Sequence, residues 1–203
     1  MQSKRPAYLA HLALDKRLAA QLEGAIPMTI QPQEDVWMNL TGAVMSQQLS
    51  TRVASVIRGR FVDLYAGKPE PQRVLDTPTA TLRGIGFSNA KAGYVHNIAR
   101  FALEEGMSFE KLQGMTDEEV IEYLTRIKGV GRWTVEMILM FTLGREDVFA
   151  VDDLGIQQAM MKVYHLKNDD KRAFREKLLK ISKKWSPYRT YACMHLWRFK
   201  DGK

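Results

Sequence analysis

The sequence predicts an all-α protein. Three observations carry this. Runs with helical spacing of apolar residues cover most of the 203 residues. Alternating β-rich runs are scarce, and no βαβ rhythm appears. Helix starts are marked repeatedly by a capping residue followed by proline, or by a capping box.

The elements follow in chain order. Residues 7–23 are rich in Leu and Ala, with Leu9, Leu12, Leu18 and Leu22 near helical spacing and Gly24 as a stop. Pro27 and Pro32 make the next stretch a connector. Residues 35–66 read as a long helical stretch, broken near Ser46–Ser50 and ended by Gly67. Thr77-Pro78 is a cap with proline at the first helical position. Ser88 opens a helix over 88–105, and Thr116-Asp-Glu-Glu119 is a capping box for one running to about Arg126. Residues 132–143 are apolar apart from Arg132, Thr134, Glu136 and Thr142, which predicts a helix buried on most sides. Further helices are expected at about 153–164, 170–184 and 188–200, the last after Ser186-Pro187.

Composition excludes several classes. Apolar residues at 45% and charged residues at 26% are ordinary for a folded protein, against disorder or a collagen-like chain. The longest apolar run, Met137–Phe141, is far short of the ~20 residues that cross a bilayer, so no membrane association is expected. Met1–Pro6 has no apolar segment behind it, so no secretory signal is expected. The single cysteine, Cys193, rules out an intrachain disulfide, a cysteine zinc site and an iron–sulfur cluster. An intracellular, cytoplasmic setting fits. The four histidines have no metal-ligand spacing, and no cofactor is implied. Net charge is +7; residues 162–203 carry 13 basic and four acidic side chains, +9, which leaves −2 for the rest. Such a segment suits either a polyanion or a solvated helix face.

The most informative stretch is Leu124–Val135. A helix ends, Gly129-Val130-Gly131 makes a tight turn, and an apolar helix begins at Arg132. Glycine allows a sharp turn and close approach of another molecule. The new helix offers free N–H groups and the positive end of its dipole to a phosphate oxygen. Val130 is expected to point inward. Leu124, Ile127, Val135 and Ile138 flank the turn at the distances of a helix-hairpin-helix DNA-binding motif. About twenty residues later, Asp152-Asp153 opens another helix. Taken alone, such a pair is usually a helix cap.

The order of hairpin, buried helix and aspartate resembles the helix-hairpin-helix–Gly/Pro–Asp DNA glycosylase superfamily. Ala43–Ser50 resembles the loop these enzymes drive into DNA, Leu82–Ala92 the turn before their middle helix, and Trp185–Trp197 their closing segment. Together these look like the alkylation-repair branch, the DNA-3-methyladenine glycosylase II family, over residues 7–200. The N-terminal β-rich domain of larger members is not expected in these 203 residues, and Lys128 stands where many members have proline.

The resemblance implies a two-lobed helical bundle with a DNA cleft between the lobes. One lobe is residues 36–145 and the other 1–35 plus 146–203. It implies a monomeric, monofunctional enzyme that flips damaged bases out of double-stranded DNA and hydrolyses the bond to deoxyribose. Asp153 is the expected catalytic carboxylate, because Asp153-Leu-Gly-Ile-Gln157 fits the family register better than a frame begun at Asp152. Asp152 is then a cap or a neighbouring charge. Asp153 could act as electrostatic stabiliser or as general base. Trp133 stands where lyase-competent relatives have lysine, hence the expectation of hydrolysis alone. Trp133, Met137, Leu154 and Trp197 are expected to face the flipped base. Gly129, Val130, Gly131 and Arg132 are expected to bind DNA, and Gln48 and Leu49 to act as the wedge. Such a hairpin can also hold a monovalent cation on backbone carbonyls. Two other readings stand: a glycosylase of this fold for a neutral lesion such as hypoxanthine or uracil, and a non-catalytic DNA-binding protein that keeps the hairpin.

Overall fold

The computed structural model describes residues 6–202. Met1–Arg5, most of the segment read above for a secretory signal, lie outside the described residues. Every regular element among those described is a helix. The chain divides into two compact units: Pro32–Gly144, and the remainder up to Gln31 and from Arg145 onward.

The amino-terminal stretch forms two short helices, α1 (Ala7–Leu12) and α2 (Lys16–Ala19), rather than the single helix expected. Asp15 makes the break. Its carboxylate accepts from the N–H groups of Arg17 and Leu18, so it starts a new helix where leucine spacing alone would continue the old one.

The Pro32–Gly144 unit is built around α3 (Val36–Ser46), whose Leu40, Val44 and Met45 are fully buried. Gln47–Ser50 separates it from α4 (Thr51–Leu64), which Ser50 caps. Next come α5 (Pro71–Leu75) and α6 (Thr79–Gly84). Thr77 does not cap α6; its hydroxyl donates to the Arg73 carbonyl and accepts from Tyr65. Ser88 caps α7 (Asn89–Glu104), which packs on α3 and α5. After α8 (Phe109–Gln113) comes α9 (Asp117–Thr125), with the capping box of Thr116 and Glu119 as read from sequence. The last helix here, α10 (Arg132–Phe141), packs on α9 and α3 and buries Thr134 to Glu136 and Ile138 to Met140.

The other unit continues with α11 (Leu154–Tyr164), α12 (Lys171–Ser182), a 3-10 turn at Lys183–Trp185, and α13 (Arg189–Lys200). Helices α11 and α13 pack together, with Trp185 fully buried below them. Ser186 does not cap α13. It donates to Asp147, whose carboxylate also accepts from Arg189 at 2.7 Å, and these partners hold Asp147 below the usual carboxylate range against its partial burial.

Candidate active site and DNA-binding hairpin

In the hairpin, α9 ends and the chain turns through Gly129 at φ +104°. A Cβ at Gly129 would lie 2.2 Å from the Tyr94 ring, so both conformation and space require glycine. Gly131 differs. Its φ is −98°, and a Cβ there meets nothing within 4 Å. Val130 is buried and anchors the turn. Gly131 brings no side-chain acceptor to the first N–H groups of α10, whereas α3, α4, α7 and α9 are all capped by side chains.

Arg132, about half exposed at the start of α10, has carboxylate partners within the unit. Its guanidinium makes a two-pronged pair with Glu118 at 2.8 and 2.9 Å and reaches Glu136 at 3.2 Å. Glu136 is buried, so Arg132 ties α9 to α10 and balances a carboxylate in the core. These pairs raise its already high pKa and lower that of Glu118.

The carbonyls of Ile127 and Lys128 accept from Val130 N–H and the Asn97 side chain. Neutral carbonyl oxygens of this kind suit a weakly held monovalent cation through their remaining lone pairs. Among the described residues, no group of three His, Cys, Asp or Glu is placed to hold a metal.

Trp133 and Met137 lie on one face of α10, bordering a cavity of about 630 Å³ shared with Phe141 and the Gln47–Leu49 turn. This cavity brings two base-pocket candidates and both wedge candidates together. Trp133 is 41% exposed, a large aromatic surface on the same helix as the exposed Phe141. Gln48 is exposed in the left-handed region, at φ +59°, a conformation that non-glycine residues avoid. Gln47, part of the Ala43–Ser50 segment but not named as a wedge residue, lines the cavity and donates to Thr134 of α10 at 3.2 Å.

Asp153 opens α11. Its Oδ1 accepts from Ile156 N–H at 2.8 Å and from the Trp197 indole N–H at 2.9 Å. Asp153 itself is therefore the cap. Asp152 faces outward and pairs with Arg175 at 3.1 Å. Trp197, expected as a base-facing ring, grips this carboxylate across 44 residues of sequence. Gly155 lets it do so: a Cβ there would lie 3.1 Å from Asp153 Oδ1 and 3.2 Å from Trp197 Cδ1. Leu154 is 71% exposed at the start of the same helix.

One unit holds an oriented, half-buried carboxylate; the other holds an exposed tryptophan beside a cavity and a helix start without a side-chain cap behind a glycine turn. Residues 41–184 match the family described as HhH-GPD superfamily base excision DNA repair protein. The chain belongs to the HhH-GPD superfamily. This HhH-GPD chain is 33% identical over 186 residues to DNA-3-methyladenine glycosylase 1 of Schizosaccharomyces pombe, covering 90% of this chain and 80% of that one. It is 35% identical over 162 residues to a putative DNA-3-methyladenine glycosylase of Bacillus subtilis, covering 76% of this chain but 55% of that protein's length. A solved S. pombe 3-methyladenine DNA glycosylase in complex with abasic DNA superposes with a TM-score of 0.85 at 31% identity, with 97% of each chain covered. These relatives place the chain in the alkylation-repair branch of the superfamily. Among the described residues, no helix is long and apolar enough to cross a membrane.

Proposed function

We propose that this chain is a monofunctional DNA glycosylase that excises alkylated bases of the 3-methyladenine and 7-methylguanine type from double-stranded DNA, in base excision repair. The observation that carries the reading is the Asp153 carboxylate, fixed by two N–H donors on one oxygen in a chain of the HhH-GPD superfamily. Breaking the bond between base and deoxyribose leaves cationic, oxocarbenium character on the sugar, and a fixed anion stabilises it. The same carboxylate is suited to orienting the attacking water and taking its proton.

The other parts follow from their chemistry. The Gly129–Gly131 turn and the uncapped start of α10 offer N–H groups to a DNA phosphate, a contact blind to sequence. Gln48 and Leu49 fill the space left when a base leaves the stack, which otherwise costs a few kcal/mol. Trp133 offers its face to a positively charged alkylated base, worth ~0.5–2 kcal/mol, with Met137 beside it. Neither they nor Leu154 carries an amine, so no Schiff base forms at these positions and water is the nucleophile.

The test is mass identification of bases freed from methylated genomic DNA. Release of 3-methyladenine and 7-methylguanine, leaving an unnicked abasic strand, is the expected result. Release of hypoxanthine or uracil instead moves the specificity to neutral lesions. Release of nothing supports a binding protein, and a borohydride-trapped adduct overturns the monofunctional reading.

A further inference from the structure

The turn that carries Gln48 and Leu49 is short, exposed and conformationally costly. Gln48 sits in the left-handed region one residue past the C-cap of α3, where the Gly42, Val44 and Ser46 carbonyls accept from the Ser46 hydroxyl and from the Gln47 and Leu49 N–H groups. Something outside the turn must hold it. Lys91, at the start of α7, reaches back 46 residues and donates to the Met45 carbonyl at 2.8 Å and to the Gln47 carbonyl at 2.6 Å. These two carbonyls span the junction between α3 and Gln48. The ammonium also lies at the negative end of the α3 dipole, where a cation is favoured.

We propose that Lys91 is a positioning residue for the DNA wedge: its two hydrogen bonds lock the Gln47–Gln48 backbone so that Gln48 and Leu49 project as a rigid unit when a base is flipped. This rests on the reading of Gln48 and Leu49 as the wedge. Three further features fit a built device. Gln47 is fastened on its other side to Thr134, Ser50 caps the helix downstream, and Ser46 bonds back to the Gly42 carbonyl. The flanks of Gln48 are thus tied to α7, α10, α4 and α3, while Gln48 itself is exposed. Partial burial pulls Lys91 below the ordinary lysine range, and the two carbonyl acceptors work against that by favouring the ammonium.

A helix-capping lysine with no part in flipping would affect all substrates alike. A wedge-positioning lysine affects only those whose base must be extruded. The experiment therefore measures single-turnover release of 7-methylguanine from a duplex and from the same strand unpaired. Lys91→Met should slow release from the duplex about tenfold or more while leaving the unpaired strand within about twofold, because only the duplex needs a filled gap. Lys91→Arg, which keeps the charge and the donors, should restore most of the duplex rate. A second readout needs no chemistry: the fluorescence of 2-aminopurine placed opposite a tetrahydrofuran abasic site, at saturating protein. Its change on binding should fall by about half or more in Lys91→Met and return in Lys91→Arg.

Equal loss on both substrates, or no loss on either, overturns the proposal. If the unaltered chain releases no base from either substrate, the glycosylase reading fails on its own, and the 2-aminopurine signal still decides the role of Lys91. Should Lys91→Met not fold, Lys91→Gln, with a single shorter donor, carries the same comparison.

Discussion

Trp197→Phe separates two roles for one side chain. Trp197 lies beside Asp153 and donates its indole N–H to Oδ1 at 2.9 Å. Phenylalanine keeps an aromatic face for stacking on a base but deletes the donor. A hydrogen bond to a charged group contributes ~1.5–3 kcal/mol, which corresponds to roughly 10- to 150-fold in rate if it is needed to hold the carboxylate at the transition state. The Ile156 N–H bond to Oδ1 remains, so helix α11 keeps its cap and the fold should survive. The assay is single-turnover base release alongside equilibrium binding to abasic-site DNA. The expected result is a rate loss in that range with binding within about threefold, because the deleted group acts on the carboxylate and not on the phosphates. A rate within threefold of the original would refute the reasoning and return Trp197 to a stacking role.

Other expected outcomes test separate parts of the molecule. Gly129→Ala should weaken binding to all DNA sequences and lower stability, since its Cβ would collide with the Tyr94 ring at 2.2 Å, whereas Gly131→Ala should leave stability within ~0.5 kcal/mol; calorimetry and binding titrations distinguish the two. Arg132→Met should lower the urea midpoint but leave the salt slope of DNA binding unchanged, because its guanidinium serves Glu118 and Glu136; a slope reduced by ~0.9 would mean it holds a phosphate instead. His195 is buried, and desolvation, with Arg198 adding repulsion, pushes its pKa down to about 4. The unfolded chain therefore binds a proton that the folded chain refuses, so stability should fall as pH drops from about 6.5 towards 4, by an order of ~3 kcal/mol for this group. His195→Gln should flatten that part of a urea-midpoint profile between pH 4 and 8, and an unchanged slope would count against the assignment.

What the sequence makes legible is local. The capping box at Thr116–Glu119, the glycine turn at 129 and the break after Ser46 are written in neighbouring residues, because caps and turns depend on side chains within three or four positions of the backbone they serve. The five-residue helices α5 and α8 escape notice because they are too short for a period to repeat. Asp15 interrupts a leucine pattern that reads as unbroken, since periodicity does not register a competing cap.

Candidate site residues could be picked out by type but not by partnership. Asp153 and Trp197 were both singled out, yet their hydrogen bond spans 44 positions, and only packing of α11 on α13 brings them together. Arg132 reads as part of the DNA-binding hairpin, and its pairing with Glu118, 14 positions earlier on the preceding helix, could not be read from the hairpin itself. Lys91 and Gln47 carried no signal of their own, because a lysine in an amphipathic helix and a glutamine at a helix end are ordinary in isolation. Which of two adjacent aspartates caps a helix is likewise decided by backbone geometry, and here it is the second.

The most direct measurement of the central claim is single-turnover release of methylated bases by Asp153→Asn beside the unaltered chain. Asparagine caps a helix as well as aspartate does and keeps an oxygen for Ile156 N–H and Trp197, so folding and abasic-DNA binding should persist. The account predicts that release falls by about a thousandfold or more once the negative charge is gone. Base release within tenfold of the unaltered chain would contradict it.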